Sequence, residues 1–341
     1  MVLFSCSQGD TYEKNDCYSV TFDRINVTGE KEMEYVFKAK GLSKKYGRFA
    51  ALTDVNMEIP RGAIYGFVGK NGAGKTTLIR VMCGLQHATA GSYELMGRNV
   101  DDKDIVKSRR RMAAVVEEPA IYKDMSAREN LIQQCLMLGF PDIDCVDEIL
   151  ALVGLSDAGK KKAGKFSLGM RQRLGIGVAL CGNPDFIVLD EPVNGLDPQG
   201  MIEIRELILR LNREQGVTFL ISSHMLDELA KIATNYGFID KGQIVRQMSR
   251  EELKEASRKL VRMKVSDVGL LAKVMEEKSL EYRVIDFDMV DIYAELNVSD
   301  IARDCERVGC SIITIEEHDE SLEAFYLSLL GGDEHVQMPV R

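Results

Sequence analysis

The chain has no C-x-x-C pair among its eight cysteines and no basic excess, since 53 Asp and Glu against 44 Lys and Arg leave a net charge of −9. Nor does it have an apolar run of the roughly 18 residues that a membrane-spanning helix needs. Each absence excludes something. Cysteines scattered at 6, 17, 83, 135, 145, 181, 305 and 310 argue against a disulfide framework or a thiolate zinc site, and several are expected as small buried hydrophobes. The acidic balance lacks the broad basic footprint of a nucleic-acid binder, so no nucleic-acid partner is expected. The opening Met1–Cys6 has neither a basic n-region nor a full apolar h-region and reads as an ordinary start. The default expectation is a soluble, cytosolic chain.

What is present centres on Gly69-Lys70-Asn71-Gly72-Ala73-Gly74-Lys75-Thr76-Thr77, which fits G-x-x-x-x-G-K-[ST]. An apolar strand-like run, 63–68, precedes it and a helix-spaced run, 77–82, follows, the context this phosphate cradle requires. The glycines let successive N–H groups turn toward phosphate oxygens. The helix end adds its unpaired amides and positive dipole. Lys75 supplies a charge near the β- and γ-phosphates, and the Thr76 hydroxyl can ligate Mg²⁺. An ATP or related nucleotide site with Mg²⁺ is the first expectation.

Further segments carry chemistry. Phe186–Asp190 is a hydrophobic strand ending in two carboxylates: Asp190 can hold Mg²⁺, and Glu191 can orient or deprotonate a water. Alone, such a pair is usually a solvated turn; beside a P-loop the catalytic reading is favoured. His224 follows the strand 217–223 and is expected to open on the same crevice, within reach of a γ-phosphate or Glu191. Histidines 87, 318 and 335 have no such context. Ser167 and Gly169, with Met170, begin a helix and make a second anion site. Two copies set head to tail could each lend that helix end to the other's nucleotide. Tyr46 offers a ring that could stack on a base, or is a half-buried sheet tyrosine.

At 341 residues there is material for two domains. The expected organisation is a polar extension at 1–34, an ATPase domain at 35–246 with a helical subdomain at about 117–183, an α+β unit at 258–330 and a tail at 331–341. The Ser126/Glu129 capping box predicts a helix over 127–138, and Asp144–Val153 predicts another. Asp197-Pro198 starts a helix running to about Arg213. Asp240-Lys241-Gly242 turns a hairpin, and the unit at 258–330 reads strand, helix, strand pair, helix, strand, helix. Its closing helix, Ser321–Leu330, carries Leu322, Phe325 and Leu329 on one face. The fold class is α/β, a mainly parallel sheet covered on both faces.

From Tyr35 to Arg246 these segments resemble the nucleotide-binding subunits of ABC transporters. Ser167-Leu168-Gly169-Met170 stands at that family's signature motif, Gly195-Leu196-Asp197 at its D-loop, His224 at its switch histidine and Tyr46 at its adenine-stacking aromatic. Leu168 and Met170 replace the usual glycine and glutamine. Glu117, in Val115-Val116-Glu117-Glu118-Pro119, falls where the Q-loop glutamine touches Mg²⁺; a carboxylate oxygen can replace the amide oxygen, or the residue lies on the surface. With Asn194–Pro198, these features are similar to the bacitracin and lantibiotic exporter subclass. The resemblance implies ATP and Mg²⁺, a homodimer or heterodimer of ATPase subunits, and a separate integral-membrane permease on the plasma membrane. The rival reading is a non-transport ABC ATPase of translation or DNA repair.

Overall fold

The computed structural model describes residues 34–140, 143–256, 259–294, 296–319 and 322–330. The expected extension up to residue 33 and the tail 331–341 lie outside the described residues, as do Cys6, Cys17 and His335. Contacts divide the chain into one unit ending at Met248 and another beginning at Ser249.

In the first unit, β1 (Tyr35–Tyr46) and β2 (Phe49–Pro60) pair antiparallel. β1 runs on past Lys40. Gly41 at φ 60° and several bulges bend the strand instead of ending it. Next come β3 (Ile64–Val68), α1 (Lys75–Met82), β4 (Ala90–Leu95), β5 (Arg98–Asn99), α2 (Ile105–Arg110) and β6 (Met112–Val115). A helical stretch follows, with α3 (Ala127–Met137), α4 (Cys145–Leu152) and α5 (Leu168–Leu180). Then β7 (Phe186–Asp190), α6 (Pro198–Gln215), β8 (Thr218–Ser223), α7 (Leu226–Ile232) and the hairpin β9 (Asn235–Asp240) with β10 (Gln243–Ser249) complete it. The hairpin turns through Lys241 and Gly242, both at positive φ, the geometry of a type I′ turn.

Two sheets result, in the orders β2-β1-β4-β5 and β10-β9-β3-β8-β7-β6. β9, β3, β8, β7 and β6 are parallel neighbours. β3, β6, β7 and β8 are buried at every residue, as continuous apolar strands covered on both faces should be. One core cluster joins both sheets across α1: Phe37, Leu52 and Met57 meet Leu78, Ile79 and Met82, which meet Phe67, Val188 and Leu220. Apolar burial therefore clamps the helix that follows the phosphate loop on two sides.

The second unit contains α8 (Arg250–Ala256), β11 (Lys259–Val265), α9 (Val268–Glu277), β12 (Tyr282–Asp286), β13 (Met289–Ile292), α10 (Val298–Val308), β14 (Ile312–Asp319) and α11 (Leu322–Leu329). Its sheet is antiparallel in the order β12-β13-β11-β14, the split β-α-β-β-α-β arrangement. Leu271, Val274 and Met275 of α9 and Ile301 and Cys305 of α10 share a core with Met263, Val290 and Ile292 of the sheet. α11 buries Leu322, Phe325 and Tyr326, while Leu329, expected on that face, is half-buried.

Candidate nucleotide site

The loops after β3, β8, β7 and β6 all leave the C-terminal ends of neighbouring parallel strands. Sheet register alone therefore gathers the phosphate loop, His224, Glu191 and Glu117 along one edge, where open α/β sheets bind ligands.

The loop's shape depends on its glycines. A Cβ on Gly69 would stand 2.6 Å from Ile239 Cγ2 and 2.7 Å from the Ile239 carbonyl, so β9 leaves no room for a side chain. Gly72 and Gly74 lie at φ 81° and 110°, a region costly for other residues. Gly74 is also the N-cap of α1 and gives that helix no side-chain cap, leaving its amide end for an anion. Lys70, Asn71 and Gly72 are exposed, Ala73 is buried and Thr77 is half-buried.

Charge is concentrated just behind this cradle. Lys75 is buried, and its Nζ donates to the Gly69 carbonyl at 2.6 Å and the Lys70 carbonyl at 3.4 Å. It also lies 3.5 Å from Glu191 Oε1. Buried Asp190 accepts from Thr76 Oγ1 at 3.1 Å and from Ser222 Oγ at 2.5 Å. Ser222, fully buried on β8, additionally accepts the Glu191 N–H at 3.1 Å. This serine was not singled out from sequence; its one signal is a hydroxyl directly after the apolar run Phe219–Ile221 of a buried strand. Nearby, Cys83 at the end of α1 is pushed up to about 12 by burial and then by the Asp190 charge, so it remains a thiol.

Glu191 sits at φ 52°, a backbone state uncommon for a non-glycine residue. That turn brings Oε2 to 2.7 Å from His224 Nδ1 and 3.3 Å from the His224 N–H. With Glu191 ionised, the shared proton belongs on Nδ1, and the imidazole keeps Nε2 for another partner.

Ser167 is the N-cap of α5, its Oγ accepting the Met170 N–H at 3.2 Å. Gly169 and Leu168 face the loop before α6: a Cβ on Gly169 would be 3.8 Å from Leu196 Cδ2, and one on Gly195 3.3 Å from Leu168 Cδ2. Asp197 caps α6 through the Gly200 N–H at 3.1 Å. Tyr46, at the end of β1, is 42% exposed, bonds Gln86 Oε1 through its hydroxyl, and has Lys44 Nζ 5.2 Å from its ring centroid. Glu117, at φ 63°, ion-pairs with Arg80 in the last turn of α1 rather than joining Thr76 and Asp190. Arg80, unread in the sequence, offsets the Glu117 charge.

Known proteins resemble the chain as a whole. The family described as ABC transporter matches residues 52–194. The bacitracin transport ATP-binding protein BcrA of Bacillus licheniformis is 37% identical over 305 residues, covering 88% of this chain and 99% of that protein. The lantibiotic transport ATP-binding protein SrtF of Streptococcus pyogenes is 41% identical over 210 residues, 62% of this chain and 89% of its own. An ATP-binding cassette of an ABC transporter, solved in its ADP conformation, superposes with a TM-score of 0.60 at 27% identity, over 65% of this chain and 94% of that one.

Proposed function

The chain belongs to the ATP-binding subunits of ABC transporters and is an ATPase, and from that premise we propose that it powers export of an antimicrobial peptide or another hydrophobic substrate through a separate permease. The bacitracin and lantibiotic transport proteins it resembles support that substrate class. Among the described residues no helix is long and apolar enough to cross a membrane, which is consistent with a peripheral subunit at the cytoplasmic face of the plasma membrane. The relatives do not favour a role in translation or DNA repair.

The Thr76 hydroxyl and the Asp190 carboxylate suit Mg²⁺, being hard oxygen donors held together at 3.1 Å. The described residues hold no group of three or more His, Cys, Asp or Glu fit for a metal, and Mg²⁺ in phosphate sites needs only one or two protein oxygens. When bound, the ion neutralises charge on the β- and γ-phosphates. Glu117, paired to Arg80, joins that ligand set only if its carboxylate turns away from the guanidinium.

Residue roles follow from position. The amides of Gly69–Thr77 cradle the phosphates, and Lys75 supplies the charge at the β- and γ-phosphates. Tyr46 stacks on the base. Glu191 orients and deprotonates the attacking water, while His224 holds the Glu191 carboxylate and reaches the γ-phosphate. Ser167, Gly169, Met170 and Asp197 face the nucleotide of a second ATPase subunit, alike or unlike, so that closure of two subunits completes both sites. α3–α5 pass that motion to the permease.

One observation carries this reading: the cluster Lys75–Glu191–His224, beside Thr76–Asp190–Ser222, at the C-terminal edge of adjacent parallel strands. Glu191→Gln should bind ATP and lower turnover by roughly 10²–10⁴-fold, the span of general-base catalysis. A variant that keeps wild-type turnover in a phosphate-release assay contradicts the assigned roles.

A further inference from the structure

Three thiols outside the nucleotide site meet among α3, α4 and α5. Cys135 on α3 and Cys181 at the end of α5 are buried, and Cys145, the first residue of α4, is half-buried. The Cys135 and Cys145 sulfurs stand 4.0 Å apart. The Cys181 thiol points at the Leu131 and Gly177 carbonyls, at 3.8 Å and 3.5 Å. A disulfide needs its sulfurs at about 2.05 Å, so each side chain has to swing by about 1 Å.

We propose that Cys135 and Cys145 form a reversible disulfide when the chain meets hydrogen peroxide. Cys145 reacts first because it is the accessible thiol of the pair, and it stands in the first turn of a helix, where amide dipoles favour a thiolate. Acidic Asp147 and Glu148 in the same turn oppose that effect and keep the reaction slow. The Cys145 sulfur attacks one peroxide oxygen, the O–O bond breaks, and sulfenic acid and water result. Cys135 sulfur then displaces the sulfenic hydroxide, which leaves as a second water with the Cys135 proton. Two thiols thus lose two electrons and two protons, and the peroxide becomes two waters.

Cys135 is suited to the second step. The neighbouring Cys181 thiol, and then, against the opposing effect of burial, that of Cys145, draw it below an ordinary thiol. Cys181 is pushed upward by its closeness to Cys135 and by burial, so it stays protonated, its S–H directed at the two carbonyls. The second unit provides an internal contrast. Cys305 and Cys310 are both buried, and burial first raises Cys305 to about 11, so this pair has no accessible member to begin the reaction.

The bond itself follows from thiol geometry. Its consequence rests on the proposed function: α5 carries Ser167 at its other end, and a bridge fixing α3 to α4 stiffens the helices that are to move on closure. Purified, reduced full-length chain is exposed to hydrogen peroxide, alkylated and digested for peptide mass mapping. The expected product is a Cys135–Cys145 linked peptide pair lacking two hydrogens, lost on treatment with dithiothreitol. It should be absent in Cys145→Ser and retained in Cys181→Ser. A bond mapped to Cys181, or sulfinic acid at Cys145 with no linked pair, overturns the proposal. Mg²⁺ATP turnover of the oxidised wild type should fall several-fold and return on reduction, with Cys145→Ser indifferent to peroxide. A linked pair with unchanged turnover overturns the coupling to the motor and leaves the modification site standing. Mapping needs no active enzyme, so its result separates failure of this inference from failure of the ATPase roles.

Discussion

Two helices of the first unit begin at loops to which we assign phosphate, and their first turns are built differently. α1 starts at Gly74, a left-handed residue that offers no side chain to the helix. α5 starts at Ser167, whose hydroxyl already accepts the Met170 N–H. The first end is open and backed by buried Lys75 and Asp190 and half-buried Thr76; the second is satisfied from within its own chain. An open helix end with a cation behind it is prepared for phosphate before any ligand arrives. A self-capped end keeps its stability alone and has a hydroxyl to redirect when another copy brings a nucleotide. On the proposed reading, the chain carries one preformed half-site and one half-site to lend.

The comparison can be broken at either end. Ser222→Ala attacks the open end hardest among the changes that leave the P-loop itself intact, since it strips Asp190 Oδ1 of its buried donor and leaves the Glu191 N–H only the Ser222 carbonyl. It should cost about 1–3 kcal/mol, the range for an orphaned buried polar group, together with turnover. Thermal denaturation and a rate assay check both; a loss of rate at full stability would confine Ser222 to aligning Glu191. Ser167→Ala attacks the closed end. It should cost about 0.5–2 kcal/mol as a lost N-cap, and it should leave ATP binding by the isolated subunit unchanged while lowering turnover. Reduced binding in the monomer would mean that both helix ends serve one nucleotide.

α3 supplies the control, a helix end capped for structure only. Glu129, bonded to the Ser126 N–H first and its hydroxyl second, titrates below its ordinary 4.5. A carboxylate lowered in the folded state contributes stability above its unfolded value and loses it as pH falls through the folded one. Glu129→Gln should therefore flatten the acid limb of stability slightly, with turnover at neutral pH unchanged. A marked change in turnover would make α3's cap part of the motor rather than a support.

Much of the open end was legible because it is local. Gly69–Thr77, the strand Phe186–Asp190 and the capping box at Ser126 each reveal themselves within a few residues, through glycine conformation, apolar continuity and short-range hydrogen bonds. The unread parts depend on distant partners. β4, Ala90–Leu95, is short and begins next to a glycine, and it is a strand because it pairs with β1 half a hundred residues away, Phe37 opposite Leu95. β6 is four residues long and exists by pairing with β7. Arg80 reaching Glu117 and Ser222 clasping Asp190 cross between elements that only the fold brings together. The second unit's order of elements was readable from its periodicities. Its sheet order, β12-β13-β11-β14, was not, because no local pattern names a strand's neighbour.

The central claim is that the preformed half of one subunit's site is completed by the lent half of another. Lys75→Ala destroys the first half and keeps the second; Ser167→Arg does the reverse. Each variant, checked by thermal denaturation to be folded at the assay temperature, is assayed alone and then mixed in equal amounts with Mg²⁺ATP. Complementary halves predict little turnover from either variant alone and clear recovery in the mixture, where one complete site forms per pair. A mixture no more active than the sum of its parts, or a Ser167→Arg chain that turns over normally alone, would contradict the account.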